Sequence, residues 1–111
     1  MSKPGKTSAR SSPTILLKLE IRARAQRDLR AIVLYIAKKN RDFVVAERFG
    51  QRLLDCCENL IPAPGKGTPY RPRLGILKLN EGAYKIFYQA TKTHVVILRI
   101  WDGRRGRDPK V

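Results

Sequence analysis

The chain has 111 residues, of which 42% are hydrophobic, and it sets 24 Lys and Arg against 9 Asp and Glu for a net charge of +15. That length supports one domain burying roughly 60–70% of its unfolded surface. The apolar fraction excludes wholesale disorder, and no apolar run reaches the roughly 18–20 residues of a membrane span. The charge excess concerns partners rather than fold, and it narrows them to nucleic acid, an anionic surface or an acidic protein.

Residues 1–13, MSKPGKTSARSSP, are basic and Ser-rich without an acid or an apolar h-region. They read as a flexible arm ahead of a single domain at 14–111, and not as a secretory signal. In ILLKLEI (15–21), Ile15, Leu17, Leu19 and Ile21 lie on one side and Lys18 and Glu20 on the other, a weak alternation that predicts a strand. From 25 to 40, Leu29, Ile32, Val33 and Ile36 fall at helical spacing. Lys38 and Lys39 suit the C-terminal end of that helix, and Asn40 is a candidate left-handed stop. Asp42 can cap a second helix over 43–60, whose apolar stripe is Ala46, Phe49, Leu53, Cys57 and Leu60. The short connector makes the two helices an antiparallel hairpin, and Gly50 marks a point of close contact with the first helix.

The adjacent Cys56 and Cys57 read as small apolar helix residues, since neighbouring cysteines seldom bridge. With His94 as the lone histidine, no metal site and no cofactor is expected. The segment PAPGKGTPYRPR (62–73) is so rich in Pro and Gly that it reads as a basic loop. Three strands follow, Leu74–Leu79, Tyr84–Gln89 and Val95–Trp101, joined by hairpin-length connectors. The expected fold is α+β, in the order β-α-α-β-β-β, with the hairpin on one face of a mainly antiparallel sheet. The last strand is apolar on both faces except at Arg99, so it should lie inside the sheet, covered by the helices and by something else. Arg99 itself needs a carboxylate, with Asp28 and Glu47 as candidates.

Four segments together resemble the RelE/ParE superfamily of bacterial toxins, and the ParE branch more closely: AQRDLRAIVLYIAKKN (25–40), AERFGQRLLDCCENL (46–60), GAYKIFYQ (82–89) and VILRIWDGRRGRD (96–108). The resemblance implies the toxin of a type II toxin–antitoxin pair, cytoplasmic, held in a hetero-oligomer by a cognate acidic antitoxin. Val96, Leu98, Ile100 and Trp101 on the outer face of the last strand are the implied antitoxin contacts, together with the exposed helix side. ParE-like members block DNA gyrase, and Lys78, Lys85, Arg99, Arg104 and Arg105 would form the target-binding edge. RelE-like members cleave mRNA on the ribosome, and there Lys78, Lys85 and Arg105 match catalytic basic positions. Cleavage also needs proton transfer, for which Lys and Arg are poorly suited near neutral pH. Asp102 stands where many relatives carry histidine, and no C-terminal helix and tyrosine of the ribonucleases follow up to Val111. Gyrase inhibition, a binding activity, is therefore preferred to ribonuclease chemistry; a plain nucleic-acid-binding module lacks any recognisable motif.

Overall fold

A computed structural model describes residues 17–111, so the basic arm and the first positions of the expected strand lie outside the described residues. The order is β1 (Lys18–Ile21), α1 (Ala23–Asn40), α2 (Phe43–Glu58), β2 (Thr68–Arg71), β3 (Ile76–Glu81), β4 (Tyr84–Ala90) and β5 (His94–Asp102). Short 3-10 turns, Pro72–Leu74 and Gly103–Arg105, follow β2 and β5. The sheet order is β1-β5-β4-β3-β2, antiparallel except for the parallel pair β1–β5. This is the expected α+β architecture with β5 inside the sheet.

It carries one strand more than expected. Thr68–Arg71 sits within the Pro/Gly-rich segment and pairs with β3 through a shift between Pro69 and Arg71. A proline is tolerated there because β2 is the sheet margin, where one side of the strand has no ladder to feed. Tyr88 secures the loop before it: the buried ring's hydroxyl donates to the Pro64 carbonyl at 2.7 Å and accepts from Gly67 N–H at 2.8 Å.

The hairpin follows from local chemistry. Asp42 Oδ1 accepts from the Val44 and Val45 amides at 3.0 and 3.3 Å and so satisfies two of the free donors at the start of α2. The left-handed residue that ends α1 is Arg41, with φ 52°, rather than Asn40, whose side chain instead donates back to the Ile36 carbonyl. A Cβ on Gly50 would lie 2.7 Å from Val33 Cγ2, so glycine here sets how closely the helices approach.

Two apolar clusters form on opposite faces of the sheet. The larger one joins Leu53, Cys57 and Leu60 to Ile86, Tyr88, Val95, Ile97 and Ile100 under the helices. Burial raises both thiols; Cys57 reaches about 12, and Cys56, beside Glu81, about 11, so neither supplies a ready thiolate. The smaller cluster, Ile76, Phe87 and Trp101, occupies the outer face, packed by Tyr70, Leu98 and Val111. Among the described residues no helix is long and apolar enough to cross a membrane.

Candidate target-binding face

The outer face is built by strand register. Lys78 pairs with Phe87 and Phe87 with Arg99, which puts these three side chains in one row across β3, β4 and β5. The next row pairs Lys85 with Trp101. Side chains directly opposite share a face, so Lys78, Lys85 and Arg99 surround the aromatic pair. Arg105, from the turn after β5, lays its guanidinium 4.4 Å from the Trp101 ring centre, and Arg99 approaches the same ring at 5.2 Å. Lys78 Nζ lies 5.9 Å from the Tyr70 ring, which meets Phe87 edge-on. The result is a floor of aromatic rings with cations around its rim.

A β-bulge decides which β5 residues belong to this face. Phe87 pairs with Arg99 but Tyr88 with Ile97, so Leu98 has no partner and the side-chain alternation resets. Ile100, expected beside Val96 and Leu98 on the outer face, turns inward and is 1% exposed in the helix-side core. Trp101 keeps its outward position and joins the outer cluster. The other correction concerns Arg104, expected to extend the same basic edge. It bends to the helix side, forking onto Asp102 with bonds of 2.9 and 3.0 Å and donating to the Tyr84 hydroxyl at 3.0 Å. That fork, first among its causes, holds the Asp102 carboxyl below its ordinary value.

Arg99 has the partner its burial requires. Its Nε and Nη2 donate to the two oxygens of Asp28 at 2.7 and 3.0 Å, with only 15% and 16% of the side chains exposed. Asp28 Oδ2 also accepts from the Ile100 amide at 3.1 Å. The reason is topological: β1 pairs with β5 only as far as Ile97, and the carboxylate takes over an amide that the short neighbouring strand cannot reach. The Asp28 hydrogen bond, the largest cause, raises the Arg99 pKa and outweighs the opposing effect of burial.

The outer face is not bare. After the Gly103–Arg105 turn the chain reverses at Gly106, φ 78°, and runs back over the sheet. Trp101 Nε1 donates to the Arg107 carbonyl at 2.7 Å, Lys85 Nζ to Asp108 Oδ1 at 3.1 Å, and Arg99 Nη1 to the Lys110 carbonyl at 3.1 Å. Pro109 is buried and Val111 packs on the Ile76–Phe87–Trp101 cluster. The cover expected from a partner is thus supplied in part by the chain itself. Asp108 was missed at the sequence level; an acidic residue followed by proline, just past a run of arginines, was the available signal.

On the helix side, a cavity of about 340 Å³ lies between α1 and the open part of the β5 edge, lined by Asp28, Ile32, Tyr35, Tyr84 and Trp101. A second of about 410 Å³ runs between the far end of the hairpin and the β3–β4 turn, and Tyr35 and Tyr84 line both. Nearby, Leu34, Tyr35, Phe43, Val44 and Val45 are each 45–59% exposed. His94 stands at the other end of β5 from Trp101, its Nδ1 engaged with the Thr93 hydroxyl. Among the described residues no group of three His, Cys, Asp or Glu side chains could hold a metal ion.

The family profile described as the ParE toxin of the type II toxin–antitoxin system parDE matches residues 19–107. The chain belongs to the ParE toxin family. No curated protein matches its sequence. A chain of the chromosomal ParDE system from P. aeruginosa is 21% identical, with a TM-score of 0.68 over 78% of this chain and 96% of that one. A chain of the toxin–antitoxin complex RelBE2 from Mycobacterium tuberculosis is 23% identical, with a TM-score of 0.59 over the same shares. Both likenesses are of fold. In this ParE-family chain the match takes in β1 from Leu19 onward, the helix hairpin and the other four strands, and it stops at Arg107, within the returning segment.

Proposed function

We propose that this ParE-family toxin acts by binding, with DNA gyrase as its target, through the face carrying Lys78, Lys85, Arg99 and Arg105. The match to the ParE family over residues 19–107 carries the reading. The chemistry of the face supports it. Cleavage of RNA by its own 2′-hydroxyl needs a group that accepts a proton near neutral pH. The face instead gathers lysines and arginines around Trp101 and Phe87, and Asp108, held below its ordinary value by the Lys85 hydrogen bond first, is already committed as an ion-pair partner. The two buried-ring tyrosines are displaced the wrong way for a base, Tyr84 and Tyr88 both being raised chiefly by burial.

The same reading includes a cognate antitoxin that neutralises the toxin in the cytoplasm as a hetero-oligomer. Of the two surfaces expected for it, the outer side of β5 and the exposed helix side, the hairpin is the one left open. There Leu34, Tyr35, Phe43, Val44 and Val45 remain exposed beside Lys38, Lys39 and Arg41, and the cavities lined by Tyr35 and Tyr84 adjoin them. Apolar anchors within a basic surround suit an acidic amphipathic segment. The test is induced expression of the toxin alone, followed by a gyrase supercoiling assay and primer extension on cellular mRNA. Arrested growth with inhibited supercoiling and intact transcripts supports the proposal. Codon-spaced transcript cuts with normal supercoiling replace it with ribonuclease activity.

A further inference from the structure

The segment 106–111 behaves chemically as a ligand of the outer face. It brings a carboxylate to Lys85, main-chain carbonyls to Trp101 and Arg99, and an aliphatic side chain to the Ile76–Phe87–Trp101 floor. Each contact is of a kind that an incoming extended peptide could replace. We propose that residues 106–111 form a removable strap over the target-binding face, and that the face recognises an extended acidic peptide which displaces it. The inference rests on the reading of this face as the one that meets the target.

The ligand class is inferred from what occupies the site. A phosphate could accept from Lys85 or from Trp101 Nε1, but it would leave the apolar floor without Val111. A peptide with an acidic residue followed by an aliphatic one answers all of these requirements. The strap also has the attributes of a displaceable element. It is irregular, it turns on Gly106 in the left-handed region, and its ion pair is partly open to water, with 28% of the Lys85 side chain and 35% of the Asp108 side chain exposed. The match to the family profile covers the sheet but ends at Arg107, so most of the strap lies beyond what the profile describes.

Trp101 is the sole tryptophan, so its fluorescence reports directly on the strap. The experiment compares the full chain with its Asp108→Asn variant. It uses Trp101 emission, quenching by neutral acrylamide, and titration with an acetylated Asp-Pro-Lys-Val peptide, its Asn-Pro-Lys-Val control and a single-stranded oligonucleotide. The proposal expects red-shifted emission and stronger quenching in Asp108→Asn, and about two- to fivefold tighter binding of the acidic peptide, as befits loss of a partly exposed ion pair. The Asn control peptide should show no such gain. Unchanged emission, quenching and peptide affinity in Asp108→Asn overturn the strap and make it a fixed cover. A gain for the oligonucleotide but not for the peptide overturns the ligand assignment. A second variant, Lys85→Gln, removes the same pair from the sheet side; it should open the strap as Asp108→Asn does while losing the preference for the acidic over the Asn peptide. None of these readouts involves gyrase, so failure of the target reading is distinguishable from failure of the strap.

Discussion

The two faces of the sheet meet the same physical demand by different means. Both expose apolar strand residues that water must not reach. The inner face is sealed by a helix hairpin whose own apolar stripe interlocks with Ile86, Ile97 and Ile100. The outer face is sealed by a few residues without regular structure, anchored by one ion pair and two bonds to main-chain carbonyls. Burial of this sort in the inner core contributes on the order of 1.5–3 kcal/mol for each large aliphatic side chain, whereas a partly exposed ion pair contributes about 0–1 kcal/mol. The contrast teaches that one cover is part of the fold and the other is exchangeable. Asp28 connects them, holding the Ile100 amide next to the core and the Arg99 guanidinium beside the outer rings.

The sharpest way to break the comparison is to damage the inner cover alone. Leu53 is 1% exposed in the middle of that core. Leu53→Ala should cost about 3 kcal/mol in urea unfolding, as core truncations do, because the helices cannot collapse fully onto the gap. Trp101 emission at low denaturant should stay native if the faces are separable; an immediate red shift would show that they are not.

Asp28→Asn tests the connection. It leaves a mostly buried guanidinium with weakened acceptors and should cost about 2 kcal/mol, less than a wholly buried pair because both partners retain some water. Unlike Leu53→Ala it should also disturb Trp101, since Arg99 touches both. A double-mutant cycle with Arg99→Met checks that the loss belongs to the pair: the two effects should combine to less than their sum.

Tyr88→Phe tests how far the inner core controls the sheet margin. The change keeps the ring but leaves the Pro64 carbonyl and the Gly67 amide without their partner, for a loss of about 1–2 kcal/mol. Hydrogen exchange should quicken around residues 64–71 while β5 amides stay protected. Uniform quickening through the sheet would mean that the loop and β2 do not open independently.

The smallest effect is that of pH. Asp108 and Asp102 have folded pKa values below the ordinary 3.8, through Lys85 and Arg104 respectively. A carboxyl depressed in the folded state favours folding above its unfolded value, and that contribution is lost as pH falls through the folded one. Stability and strap closure should therefore be flat at neutral pH and decline below about 3.8, and Asp108→Asn should remove the strap's share of the decline. Trp101 emission followed during acid titration checks this.

Much of the fold was legible because its causes are local. The apolar spacing of α1 and α2, the Asp42 cap, the glycine at the helix crossing and the unbroken apolar run of β5 each depend on neighbours in sequence. The Arg99 carboxylate could be anticipated because a charge inside an apolar strand needs an opposite one, and Asp28 was one of two candidates. The site was less legible. Four of its cations were named in advance, but the row they form depends on pairing between strands, and the assignment of Ile100 failed because Leu98 bulges. That bulge exists only relative to a partner strand, so no alternation within β5 reveals it.

The sequence by itself determined the class of fold, the hairpin, the interior position of the last strand and the surplus of positive charge, since each is written in composition or short-range period. Tertiary structure alone decided which cations share a face, where Arg104 points, that a proline-bearing segment serves as the sheet margin, and what covers the outer rings. The physical reason is that these outcomes depend on contacts between residues far apart in the chain. The strap, held largely through main-chain carbonyls that every residue possesses, leaves no periodic trace in the side chains that form it.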